Sequence, residues 1–209
     1  MSTRPCPTWR RSPTDSPRST PIRDSPEPGS SLLRDGFALA VNDVNPSFAA
    51  LAAELHLLHG SLDLNRHLDD PVAHILGGFA ELRCHPDVAV GIHALSALGL
   101  RLMTLTNGAT SVAQRLLNDA GLIDAFELLL SAEQAGLWNP DPRAYALSRC
   151  GVQAAEAMLV TVHPWDTDGA RRAGLSAAWV NRTGVDYPSY FGAPSVEMES
   201  LVDLVDRLS

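Results

Sequence analysis

Between residues 87 and 181 the chain alternates two apolar patterns. Stretches with helical spacing occupy 87–99, 111–121, 142–151 and 167–174, and short apolar runs occupy 100–106, 125–131, 157–162 and 176–181. Apolar residues recurring every three or four positions give a helix one buried face, whereas a run of four to seven suits a strand buried on both faces. Short apolar strands separated by amphipathic helices imply βαβ units on a parallel sheet with right-handed crossovers. The expected core is therefore α/β and Rossmann-like, and ligands of such sheets sit beyond the carboxyl ends of the strands. Thr106, the loop around Asn139 and the stretch after Val162 all follow strands, so they are expected to converge on one crevice.

The preceding stretch has a different rhythm. Leu33, Phe37, Ala40 and Val41 fit one helix, which Asn-Asp-Val-Asn-Pro at 42–46 breaks. Phe48, Leu51, Ala52, Leu55 and Leu58 resume a helical stripe that ends at Gly60, and "DDPVAHILGGFAELRCHPDV" predicts another short helix and a linker. Residues 32–84 thus read as a small all-helical region ahead of an α/β core over 85–209. Residues 1–31 read as a disordered tail, because the first thirty hold seven of the fifteen prolines and almost no apolar periodicity. Text this rich in Pro, Arg and Ser is also what a GC-rich gene gives when read out of frame, so a shifted start is a second reading.

Composition narrows the function. The 209 residues are 45% hydrophobic, enough for one sizeable domain with a small appended one. The net charge of −8 argues against a nucleic-acid surface or a polybasic membrane anchor. All 16 basic residues are arginines, five of them in the first thirty positions beside three acids, which leaves the remainder near −10. No apolar run approaches the length of a membrane span. Cys6, Cys84 and Cys150 are odd in number and lack a CxxC pair, so a reduced, cytoplasmic protein without a disulfide framework or zinc knuckle is expected.

The chemistry-bearing residues lie at strand ends. Leu105-Thr106-Asn107-Gly108 closes one apolar run. Asn139-Pro140-Asp141-Pro142 with Tyr145 follows the next, and "TVHPWDTDGARRAGL" carries Trp165 and Asp166 after a third. As an ordered set with the closing "AAWVNR", these resemble the haloacid dehalogenase superfamily, specifically the type II 2-haloacid dehalogenase branch. In that family the second motif ends Leu-Ser-Asn-Gly, the third is Lys-Pro-Asp-Pro followed by Tyr, and the fourth ends Trp-Asp before a helix. "RDGFALAV" and "HILGGFAEL" look like the family's helical cap and extend the resemblance to about residue 32.

The resemblance implies hydrolysis of a carbon–halide bond through an aspartyl ester. The family's nucleophile ends the first strand in an Asp-x-x-x-Thr pattern. A lysine keeps it ionised, and a final aspartate orients that lysine and the hydrolytic water. Thr106, Asn107 and Asp166 then fall on catalytic positions, and Tyr145, Trp165 and Asn139 on substrate-binding ones. No metal or other cofactor is implied for this branch, whereas phosphatase relatives bind magnesium with two acids. The implied partner is a small 2-halo-carboxylate or similar small acid, without nucleic acid or membrane. A homodimer stays open, since relatives often dimerise.

Two departures matter. Asn139, a neutral amide, stands at the lysine position in a chain without lysine, and nothing in residues 1–31 is an apolar strand ending in aspartate. The family's cap arginine has no assigned counterpart here. Asp43, with Ser47 four residues on, imitates the nucleophile motif, but its surroundings match cap helix better than core strand. The expected function is a 2-haloacid dehalogenase-like hydrolase, impaired or inactive as written. The alternatives are a pseudoenzyme or truncated member serving as a small-carboxylate binding or interaction module, and a phosphatase-like hydrolase of the same superfamily.

Overall fold

The computed structural model describes residues 28–59, 82–145 and 150–208. Two helices come first, α1 (Pro28–Ala40) and α2 (Phe48–His59). Proline is tolerated in a first helical turn, where its missing N–H has no intrahelical partner to lose. Residues 1–27 lie outside the described residues, as does the bulk of the helix expected within 69–88.

From Pro86 the helices and strands alternate as α3 (Pro86–Ala97), β1 (Met103–Thr106), α4 (Thr110–Asp119), β2 (Leu128–Ser131), α5 (Ala132–Ala135), β3 (Met158–Thr161), α6 (Pro164–Arg172), β4 (Ser176–Val180), β5 (Val196–Met198) and α7 (Leu201–Leu208). Among the described residues every strand pair is parallel. β1 runs beside β2, with Met103 opposite Leu128 and Thr106 opposite Ser131. β3 runs beside β4, with Leu159 opposite Ala177, and β4 beside β5, with Ala178 opposite Val196. Among the described residues these form two sheets, β1-β2 and β3-β4-β5.

Two expected elements differ in detail. The helix foreseen over 142–151 is seen as a 3-10 turn at Pro142–Tyr145, while 146–149 lie outside the described residues. The helix foreseen from Thr167 starts three residues earlier, at Pro164. The structure also adds β5 and α7 beyond the alternation read from the sequence. Asp203 accepts from the Glu199 and Ser200 amides, and the Ser200 hydroxyl accepts from the Asp203 amide, which caps α7.

The two faces of the sheets are covered by different helices. On one face Leu95 of α3 and Leu204 of α7 pack with Ala178, Val180 and Met198, and Leu102 and Met158 lie against them. On the other, Tyr145, Ala170 of α6, Leu175 and Ala177 pack together, with Leu105 and Leu159 alongside. Adjacent Ala177 and Ala178 thus serve opposite cores, as the twofold alternation of a strand requires. α3 also reaches the other sheet, where Ile92 packs with Leu117, Leu122 and Leu129. Its N-terminus is tied down by Asp87, which accepts from both terminal nitrogens of Arg182 at 2.9 and 3.1 Å and from the Leu201 amide at 2.9 Å.

The helical hairpin α1–α2 is fastened to the core by Trp138. Its backbone N–H donates to Asn45 Oδ1 and its indole N–H to the Pro46 carbonyl at 2.8 Å. Phe48 stacks on the indole and Phe37 meets it edge-on. Gly36 lies so close that a Cβ there would sit 2.7 Å from two ring carbons, which explains why no side chain occupies that position.

Candidate active site

The carboxyl ends of β1, β2 and β3 bring the singled-out residues together. At the end of β1 the Thr106 hydroxyl accepts from the Gly108 amide at 3.1 Å, which leaves its own proton to donate. At the end of β2 the Ser131 hydroxyl donates to the Gly108 carbonyl at 2.8 Å and caps α5 by accepting from the Glu133 amide. Ser131 is a positioning contact that the sequence motif does not announce, although a Ser at a strand end before a helix is a cap signal.

Asn107, which the resemblance sets on a catalytic position, bonds the Asn139 backbone twice. Its Oδ1 accepts from the Asn139 N–H at 2.7 Å and its Nδ2 donates to the Asn139 carbonyl at 3.2 Å. The side chain therefore clamps the backbone just ahead of the cis Asn139–Pro140 peptide, with one Nδ2 hydrogen left over. Asn139 itself is buried, at 5% exposure, and its Oδ1 has no hydrogen-bond partner. An unpaired buried acceptor of this kind is costly in a folded chain and is common at binding sites, where a ligand or water supplies the donor.

Opposite stands the pair Tyr145 and Asp166. The phenol donates to Asp166 Oδ1 at 3.1 Å, and it lies 3.3 Å from the Asp166 carbonyl. Burial pushes the Asp166 carboxyl up to about 6, although hydrogen bonds from Tyr145 and Thr161 hold it down. Burial and the neighbouring carboxylate push the Tyr145 phenol up, so it remains a neutral donor. Gly169 makes this closeness possible, since a Cβ there would meet the Pro140 carbonyl oxygen at 2.5 Å and the Tyr145 ring at 3.0 Å. The Asn139-Pro140 loop, Tyr145 and α6 are thereby one packed unit.

Trp165 stacks on His163 with ring centroids 4.5 Å apart and meets Phe37 of α1 edge-on at 6.0 Å. Burial lowers the His163 imidazole below its usual range, so it is neutral at pH 7. Phe37, Trp138 and Trp165 together form an aromatic wall where the hairpin meets the strand ends. Arg143 turns outward, pairing with Asp141 at 2.6 Å and with Asp43 at 2.9 Å. It supplies no charge at Asn139. Asp43 occupies the turn after α1, not a strand end, and its side chain is 76% exposed. Among the described residues no three His, Cys, Asp or Glu side chains cluster to hold a metal, and no helix is long and apolar enough to cross a membrane.

Comparison with known proteins bears on the family and the fold. The family model of haloacid dehalogenase-like hydrolases matches residues 25–174. An (S)-2-haloacid dehalogenase of Pseudomonas sp. (strain YL) is 33% identical over 131 residues, covering 61% of this chain and 56% of the relative. A phosphoserine phosphatase of Thermus thermophilus is 37% identical over 101 residues, covering 47% and 41%. Among solved structures, the L-2-haloacid dehalogenase of Xanthobacter autotrophicus with chloropropionic acid covalently bound superposes with a TM-score of 0.75. It is 24% identical over 87% of this chain and 83% of that one, a likeness of fold. The chain spans less than two thirds of the length of the first curated relatives it matches. With more than half of its residues matched by the family model and its strand ends holding the motif residues, the chain belongs to the haloacid dehalogenase-like hydrolases.

Proposed function

We propose that these strand ends form the active site of a 2-haloacid dehalogenase-like hydrolase whose carbon–halide turnover is impaired in the chain as it stands. The observation that carries this reading is the grouping of Thr106, the Asn107–Asn139 clamp and the Tyr145–Asp166 pair at the ends of parallel strands. In this reaction a carboxylate attacks the carbon bearing halogen, halide leaves with the bonding pair, and water then cleaves the ester. The Thr106 hydroxyl donates to the substrate carboxylate or the nucleophile, and Tyr145 and Trp165 line the pocket under a helical cap formed by α1 and α2. Asp166, mostly ionised at neutral pH, orients the attacking water.

Among the described residues two groups that the reaction needs are unsupplied. Asp166 is engaged by Tyr145, Asp141 is turned to Arg143, and the amide of Asn139 offers no charge to keep a nucleophile ionised or balance a substrate anion. Halide release from 2-chloropropionate by the 209-residue chain is expected to equal that of buffer. Robust turnover abolished by Asp43→Asn would overturn this and make Asp43 the nucleophile. Asn139→Lys alone is expected not to restore activity, and recovery would show that no nucleophile was wanting.

A second reading, a small-carboxylate binding module, is favoured by the unpartnered Asn139 oxygen and the spare Thr106 proton, both of which a protonated or hydrated acid could satisfy. A phosphatase-like activity is the third, motivated by the phosphoserine phosphatase relative. Hydrolysis of p-nitrophenyl phosphate with magnesium, absent with 2-chloropropionate, would select it.

A further inference from the structure

Asn107-Gly108 is the single Asn-Gly pair in the 209-residue sequence. Such a pair is chemically fragile. The backbone nitrogen that follows an asparagine attacks the side-chain amide carbon, expels ammonia and closes a five-membered succinimide, which water opens to aspartate or isoaspartate. Glycine sets no side chain in the way of that attack. Ring closure requires the Gly108 N–H to give up its proton and the Asn107 Cγ to become tetrahedral.

The strand ends oppose both requirements. The Gly108 N–H donates to the Thr106 hydroxyl at 3.1 Å, so the attacking nitrogen is engaged and its proton is held. The planar Asn107 amide is bonded at both ends to one residue, accepting from the Asn139 N–H at 2.7 Å and donating to the Asn139 carbonyl at 3.2 Å. A flat two-point contact of this kind is lost when the amide carbon turns tetrahedral, because its hydrogen bonds depend on direction. Gly108 is also held from its other end, where its carbonyl accepts from the Ser131 hydroxyl at 2.8 Å. Three separate segments thus immobilise the reacting pair.

We propose that Asn107 is a latent modification site, kept as an amide by the Thr106 hydroxyl and the Asn139 backbone and converted to aspartate or isoaspartate once they let go. The net step takes up one water and releases one ammonia, with no change of oxidation state. Its consequence follows from the clamp. In aspartate an oxygen replaces Nδ2 and faces the Asn139 carbonyl with no proton between them, so two acceptors repel. Isoaspartate lengthens the backbone between β1 and Gly108 and moves the carboxylate away from Asn139. Either product unclamps the Asn139-Pro140 segment, whose Pro140 packs with Tyr145 against Gly169 of α6. The modification is a one-way switch on the site, independent of the reaction the site carries out.

The test incubates the chain in mildly alkaline buffer and reads the exchange of side-chain NH2 for OH at Asn107 by peptide mass spectrometry. The folded chain is expected to lose this amide at least about tenfold more slowly than the same chain in urea. Thr106→Val, which removes the acceptor of the Gly108 N–H, is expected to fall between the two, whereas Thr106→Ser keeps the folded rate. Gly108→Ala, for which the nearest side-chain atom leaves ordinary room at 3.7 Å, is expected to slow the loss in urea as well, which marks the succinimide route. Equal rates in the folded and urea-unfolded chain would overturn the proposal, and that comparison needs no variant to fold. So would a Thr106→Val chain, folded by circular dichroism, that keeps the folded rate. Asn107→Asp reproduces one product and is expected to speed hydrogen exchange over residues 137–141 at least about tenfold. Unchanged exchange there would mean that the modified residue still clamps the loop, and the switch would be lost.

Discussion

Asp166 illustrates how much a single buried carboxyl decides. Its value of about 6 in the folded chain lies above the ordinary value near 4, because burial favours the neutral form. The unfolded chain therefore releases this proton at a lower pH than the folded one. Stability from this residue is present below about pH 4 and is lost as pH rises towards 6. Asp166→Asn keeps the shape without the charge, so it is expected to raise stability at pH 7 by roughly 1–3 kcal/mol and to flatten the slope between pH 4 and 6. Urea melts across that window check it, and an unchanged slope would place the Asp166 carboxyl in water. The same substitution removes the water-orienting carboxylate of the proposed pocket. Stability and chemistry thus pull in opposite directions at one position, as functional sites often require.

At the scale of elements, the α1–α2 hairpin is held to the core by rings and two hydrogen bonds around Trp138, by the Phe48 amide donating to Glu133 and by the Asp43–Arg143 ion pair. Gly36 is the position on α1 where that contact has no slack. Gly36→Ala sets a methyl group against the buried indole of Trp138. The substitution ordinarily favours a helix by about 1 kcal/mol, so a net loss of roughly 1–3 kcal/mol reports overpacking directly. A stabilised variant would mean that the hairpin is free to swing from the core. The hairpin and the aromatic wall were only partly legible in the sequence. The period of Phe37, Ala40 and Val41 announces a helix, but nothing in it says that Gly36 must face Trp138, a hundred residues away.

For the molecule as a whole, Asp87 joins three parts of the chain at one carboxylate: the start of α3, Arg182 after β4 and the first amide of α7. Burial pushes its carboxyl up, but hydrogen bonds from Arg182 and Leu201 and the Arg182 charge outweigh this and hold it below the usual range. Its contribution is present above about pH 4 and lost as pH falls below it, the reverse of Asp166. Asp87→Ala leaves Arg182 half-buried and unpaired, so a loss of roughly 2–3 kcal/mol at pH 7 is expected, shrinking towards pH 3. Thermal melts of both proteins at pH 7 and pH 3 measure it, and a pH-independent difference would assign the role to packing instead.

The apolar periods from residue 87 to 181 determined the class of fold, since a run buried on both faces can be satisfied only within a covered parallel sheet. The order of the strand-end motifs likewise determined the family, because those residues need only follow their strands to meet. What the tertiary structure decided depends on contacts between distant segments. It turned the Asn107 side chain onto the Asn139 backbone, set Tyr145 against Asp166, and buried the Asn139 oxygen without a partner. Hydrophobic pattern is a property of one segment, whereas hydrogen-bond partners and burial are properties of pairs. A single sequence specifies the former directly and the latter only through the folded chain.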